Sequence, residues 1–130
     1  MFKRIRKVVL MTLALVMLCT TAFTTKVSAA PAPAVSNVYI EGGYIDNNGD
    51  VIIQVYVVGY GHNEIARWDG IDATLEDEDY IDGVDRVVYA FRQYWNCGQA
   101  TIGTHTFTYR TTSINSPWNT VSRSTSFTIS

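Results

Sequence analysis

After Lys26 the sequence has no lysine, and after Cys19 it has a single cysteine, Cys97. Proline is confined to Pro31, Pro33 and Pro117, and beyond residue 30 no stretch carries the 3.6-residue apolar repeat of an amphipathic helix. Each shortage excludes something. One cysteine cannot form an internal disulfide, so an apolar core alone must hold that part of the chain together. Lysine-based isopeptide cross-links and lysine-linked polymers cannot form there. The cations beyond residue 30 are Arg67, Arg86, Arg92, Arg110 and Arg123, set against all twelve carboxylates, a formal charge of −7. Such a chain lacks the cationic footprint that a phosphate backbone needs, and anionic membranes and wall polymers repel it. Nucleic acid and stable membrane association are therefore not expected.

The amino terminus reads as a secretory leader. Lys3, Arg4, Arg6 and Lys7 precede an apolar run from Val8 to Phe23, and short side chains at Val27 and Ala29 mark a cut after Ala29. The run is shorter than the roughly 20 apolar residues of a membrane span. Leu18 before Cys19 argues against a lipoprotein. The expected organisation is a signal peptide over 1–29, a mobile, extended Pro/Ala-rich leader over 30–36 and one domain over 37–130. The expected address is secreted and extracellular, from a bacterium, since no Asn-x-Ser/Thr acceptor follows the leader.

The rest of the chain alternates with period two. In Val51–Val58, Val51, Ile53, Val55 and Val57 share one face, as befits a central strand. A first strand around Val38–Ile45 is expected to bulge at Gly42-Gly43, and Asp46-Asn-Asn-Gly-Asp50 to close a hairpin. Glu64–Trp68, Arg86–Trp95, Thr104–Thr111 and Val121–Ile129 read as further strands, with a weak one at Asp72–Leu75. The acidic stretch that follows and Asn96–Gln99 read as loops. About seven strands separated by turn residues predict an all-β, antiparallel β-sandwich.

The run Gly103-Thr-His-Thr-Phe-Thr-Tyr-Arg110 with its Ser/Thr-rich final strand resembles the last hairpin of bacterial immunoglobulin-like domains. That resemblance puts His105 at the tyrosine-corner position, Phe107 where the second core cysteine would stand, and Trp68 as the core tryptophan. The APAP start, Gly59-Tyr60-Gly61 and Ser116-Pro-Trp-Asn-Thr120 resemble small secreted proteins of bacilli in a family without established function.

Several residues are candidates for chemistry. Eight carboxylates fall between Asp69 and Asp85, and Asp77, Asp79 and Asp82 could converge in one loop to relieve their repulsion by binding Ca²⁺. The bland alternative is a solvated acidic loop. Asp46, Asn48 and Asp50 share calcium-like spacing, but Asn-Gly explains them as a turn. Cys97 is an odd thiol in an oxidising compartment: a buried thiol, the link of a disulfide dimer or, with only His62 and His105 to serve as a base, a nucleophile. Tyr60, His62, Tyr80, Trp95 and Trp118 are expected at loops or strand ends, where aromatic rings can stack on sugars or proteins. Thr104, Thr106 and Thr108 should lie beside Ser122, Ser124, Ser126 and Thr128 on an outward face. No pair of carboxylates stands out for hydrolysis.

The expectation is a non-catalytic extracellular protein that binds a polysaccharide or a protein, needs no cofactor, takes calcium as a candidate stabiliser, and is a monomer or a Cys97-linked dimer. The rivals are a secreted antimicrobial or toxin-like protein and a small carboxylate-dependent hydrolase.

Overall fold

Strand alternation decides which side chains turn inward, and the inward set is apolar. The structure, a computed structural model, describes residues 32–130; the signal-peptide expectation lies outside the described residues. Eight strands follow in chain order: β1 (Asn37–Ile45), β2 (Asp50–Val58), β3 (Gly61–Trp68), β4 (Ile71–Asp72), β5 (Thr74–Asp82), β6 (Val88–Gln99), β7 (Gly103–Ser113) and β8 (Thr120–Ile129). All pair antiparallel, in two four-stranded sheets ordered β1-β2-β6-β5 and β4-β3-β7-β8.

The central strand behaves as its pattern predicts, with Val51, Ile53, Val55 and Val57 all buried. They join one core with Val38, Ala66, Trp68, Trp95, Phe107 and Tyr109, which come from both sheets. Phe107 is fully buried, and truncating such a ring to alanine costs about 3–5 kcal/mol. Strand β7 alternates without interruption: His105, Phe107, Tyr109 and Thr111 are buried, while Thr104, Thr106, Thr108 and Arg110 are exposed. At Asp46–Asp50 the Asp46 Oδ1 accepts from the Asn48 and Asp50 amides and Gly49 sits at φ 81°, the expected turn.

Three expectations fail. The acidic stretch is not a loop but most of β5, an edge strand paired through Thr74–Asp82 with β6. Poor strand propensity in Asp and Glu hid it; at an edge, charge is tolerated and hinders pairing with another chain. Asn96–Gln99 is likewise the end of β6, reached through a register shift opposite Asp50–Ile52. The described part of the Pro/Ala leader is tied down rather than mobile. Val35 is buried in the core, its amide donates to Ser113 Oγ, and its carbonyl accepts from Asn119 Nδ2. Gly59, at φ 103°, permits this because any Cβ there would run into the Ala34 carbonyl. The packed unit accordingly begins at Ala32.

Candidate functional site

The outer face of the first sheet gathers aromatic and polar side chains in register. Antiparallel pairing aligns Tyr39, Tyr56, Arg92 and Asp79 across its four strands, and Gln54, Tyr94 and Asp77 across three of them one step further on. A register shift between Ile40 and Gly42 leaves Glu41 as the extra residue of a bulge, one position before the glycine pair expected to form it. Bulges re-aim side chains, and Glu41 meets Arg92 in a two-pronged contact at 2.8 and 3.3 Å while accepting from Gln54 at 3.2 Å. The Arg92 guanidinium holds the Glu41 carboxyl below its usual range, with Gln54 assisting.

Arg92 also lies 5.2 Å from the Tyr56 ring centre, a cation–π distance, and Tyr39 packs on Tyr56 at 6.2 Å. Tyr94 donates to Asp79 Oδ2 at 3.2 Å. Burial, then the Asp79 charge and this bond, push the Tyr94 phenol up. A hydrogen bond that the Tyr56 hydroxyl donates to Tyr89, then burial, raises the Tyr56 phenol. The Tyr56 and Tyr94 rings are thereby held by polar partners on the same face, while Tyr39 and Tyr44 each remain 51% exposed. Half-exposed rings among hydrogen-bonding groups on a flat surface are suited to a ligand with one apolar face and many hydroxyls.

A second cluster lies between the sheets. Gln93, buried on β6, donates from Nε2 to Glu78 Oε2 at 2.7 Å and to Glu64 Oε1 at 3.2 Å. Its Oε1 accepts from Tyr109 Oη at 2.8 Å and Trp95 Nε1 at 3.1 Å. Burial raises the Glu78 carboxyl, and the nearby Glu64 and Asp77 charges add to that against the Gln93 hydrogen bond. Glu64, Glu78, Tyr60, Phe91 and Gln93 line a cavity of about 90 Å³. Ligand pockets usually measure about 300–1,000 Å³, so this one has room for water and not for a sugar. A larger, apolar groove of about 370 Å³ runs along Tyr44, Ile45, Trp68, Phe127 and Ile129, without a charged lining residue.

His105 forms a third polar cluster. Its Nδ1 lies 2.6 Å from Asp69 Oδ2, and its Nε2 lies 2.8 Å from the Thr101 carbonyl and 3.3 Å from Thr101 Oγ1. A Thr-His-Asp order suggests a nucleophile and base. However, both ring nitrogens face atoms that only accept, the carboxylate and the carbonyl, so the ring donates from both and has no lone pair for Thr101. The Asp69 bond chiefly raises the His105 pKa, helped by Thr101, and His105 in turn lowers that of Asp69, with the Thr106 amide. The ring stacks on Trp68 at 4.8 Å, as suits an imidazolium.

The residues singled out from sequence do not form one site. Trp95 is a core residue of β6, not a loop ring, because inward alternation from Phe91 carries it under the sheet. Tyr60 and Tyr80 both pack edge-on against Phe91, at 5.0 and 5.1 Å, and close the side of the core. His62 is exposed and donates from Nδ1 to the Thr112 carbonyl. Trp118, 62% exposed, projects from the β7–β8 connection, where φ is 60°. Asp77, Asp79 and Asp82 do not converge: they are spread along an extended strand, with a register shift between Ile81 and Asp82. Among the described residues no group of three or more His, Cys, Asp or Glu is arranged to hold a metal ion. Cys97 lies half-buried against the core, and burial pushes its thiol up to about 12, so it stays protonated and unreactive at neutral pH. The outer tyrosines were missed as a site, although their alternation with Val and Ile in β1 and β2 was visible.

These features define an all-β protein of two antiparallel four-stranded sheets whose surface chemistry is concentrated on strand faces. The chain belongs to the family described as a domain of unknown function (DUF4879), which matches residues 44–129. That match takes in Tyr44, Tyr56, Asp79, Arg92 and Tyr94 and begins after Tyr39 and Glu41. No curated protein and no solved structure matches the chain.

Proposed function

We propose that this is a secreted, non-catalytic extracellular protein with an immunoglobulin-like β-sandwich, binding a neutral polysaccharide on the outer face of its first sheet. The architecture is supported by strand order: β1-β2-β6-β5 and β4-β3-β7-β8 correspond to A-B-E-D and C′-C-F-G of such sandwiches. Trp68 on the third strand is buried, and His105 reaches back to the Thr101 carbonyl as a corner tyrosine reaches upstream backbone. The leader sequence supports export.

The binding role rests on the in-register row Tyr39–Tyr56–Arg92–Asp79 with Tyr94 beside it. Rings offer stacking for the C–H face of a pyranose, and Glu41, Gln54 and Asp77 offer hydrogen bonds to its hydroxyls. The test is retention on insoluble neutral glucans and chitin, comparing the protein with Tyr39→Ala/Tyr94→Ala. Retention by the parent and loss in the folded variant supports the reading; equal retention, or none by the parent, overturns it.

A further inference from the structure

The outer face of the second sheet has a different chemistry. Pairing sets Ile65, Arg110 and Ser122 in one row and Arg67, Thr108 and Ser124 in the next. With Tyr109 and Arg123, these six line a shallow depression of about 330 Å³, and the Arg123 guanidinium donates to the Ser122 carbonyl and to Asn37 Oδ1. The three arginines among them, Arg67, Arg110 and Arg123, stand out in a chain where carboxylates outnumber cations so heavily. The carboxylate bonded within this face is that of Asp72, whose Oδ1 is taken by Arg67 Nε at 2.9 Å. Arg110 makes no ion pair among the described residues, despite the surplus of acids elsewhere. The flanking hydroxyls divide in the same way. Thr104 bonds Thr128 and Thr112 bonds Thr120, so the ladder closes on itself towards both ends. Between them, the hydroxyls of Thr108, Ser122 and Ser124 have no hydrogen-bond partner among the described residues.

We infer that this depression is a binding site for an acidic polysaccharide, with a carboxylate or sulfate group held by Arg110 and the neighbouring sugar hydroxyls met by Thr108, Ser122 and Ser124. The guanidinium fork matches such oxyanions in two-pronged fashion, and unengaged hydroxyls both donate and accept. Of the three arginines here, Arg67 is held by Asp72 and Arg123 by Asn37, which leaves too few free cations for a nucleic-acid backbone, whereas one oxyanion per sugar unit fits the single fork of Arg110. Asp72 competes for the site by holding Arg67. The acidic net charge opposes the approach of a polyanion at low salt, so selectivity comes from the local contacts and not from long-range attraction.

Affinity electrophoresis of the protein from expression of the full chain, through gels containing polygalacturonate, dextran sulfate or neutral dextran, tests this. The expected result is retardation by a charged polymer and none by dextran. Arg110→Gln should weaken it about tenfold or more, the loss of a charge-assisted hydrogen bond. Asp72→Asn, which frees Arg67, should strengthen it. Both positions are exposed, so neither change disturbs the core. Retardation by polygalacturonate alone assigns a carboxylate ligand, and by dextran sulfate alone a sulfate ligand. No retardation by either polymer, or retardation unchanged in Arg110→Gln, overturns the inference. Tyr39→Ala/Tyr94→Ala should leave this binding intact, which separates it from the neutral-glycan face.

Discussion

The two outer faces are built by the same alternation and arrive at opposite states. On the first sheet, side chains are already spent on one another: Glu41 on Arg92 and Gln54, Tyr94 on Asp79, Tyr56 under both Tyr39 and Arg92. On the second, Arg110 and three hydroxyls have no such partners among the described residues. A cross-linked face holds its rings in fixed positions and offers stacking; an open one offers unmet hydrogen bonds. Pre-organisation lowers the ordering cost of binding in the first case, and unmet polar groups supply contacts in the second. The faces can therefore differ in ligand while sharing one core.

The comparison breaks most easily at that shared core. Gln93→Leu deprives Tyr109 and Trp95 of their acceptor and leaves Glu64 and Glu78 without a shared donor. A loss of about 3 kcal/mol or more is expected, read from the urea midpoint at unchanged slope. A loss below about 1 kcal/mol would mean that the sheets do not depend on this network.

Next in size is the separation of the faces themselves. Tyr39→Ala/Tyr94→Ala should weaken neutral-glycan retention by about tenfold while moving stability far less. If Arg110→Gln has the same effect on neutral glycan, the two faces are not distinct sites.

The third test concerns pH and the second sheet alone. His105 has a raised pKa, so its contribution is complete below the unfolded imidazole value of about 6.5 and is lost as pH rises through the folded value. Asp69 has a lowered pKa, so its contribution is complete above the unfolded carboxyl value of about 3.9 and is lost as pH falls through the folded one. The pair therefore stabilises most between about pH 4 and 6.5. Urea midpoints at pH 5 and pH 9 should differ, and His105→Gln should shrink that difference; an unchanged difference would assign it to other groups.

The smallest effect is expected at Glu78. Its raised pKa means that ionisation opposes folding, so stability should improve as pH falls through the folded value. Glu78→Gln, still able to accept from Gln93, should raise stability at neutral pH by about 1 kcal/mol at most. Destabilisation would show that the carboxylate charge itself is needed there.

The strongest strands were legible because one inward face must be apolar when the other meets water. Thr104 to Tyr109 against Ser122 to Thr128 is the clearest case, and the pairing Thr108↔Ser124 follows it directly. The β5 strand was not legible, because its carboxylates mimic a solvated loop and its support comes from hydrogen bonds to β6. Trp95 looked like a strand-end ring because nothing local says that β6 continues to Gln99. Of the candidate face, the tyrosines were readable as alternating outward residues, but Glu41 was not, since its direction depends on one bulge.

By itself the sequence determined the all-β class, the central strand, the Asp46–Asp50 turn and the outward hydroxyl ladder. Each follows from local periodicity or local backbone preference, which neighbours in the chain suffice to encode. Only the tertiary structure decided that Tyr39, Tyr56, Arg92 and Asp79 stand in one row, that Gln93 bridges Glu64 and Glu78, and that Arg110 pairs with no carboxylate among the described residues. Those depend on register between strands distant in sequence, where a shift of one residue turns every side chain to the other side of the sheet.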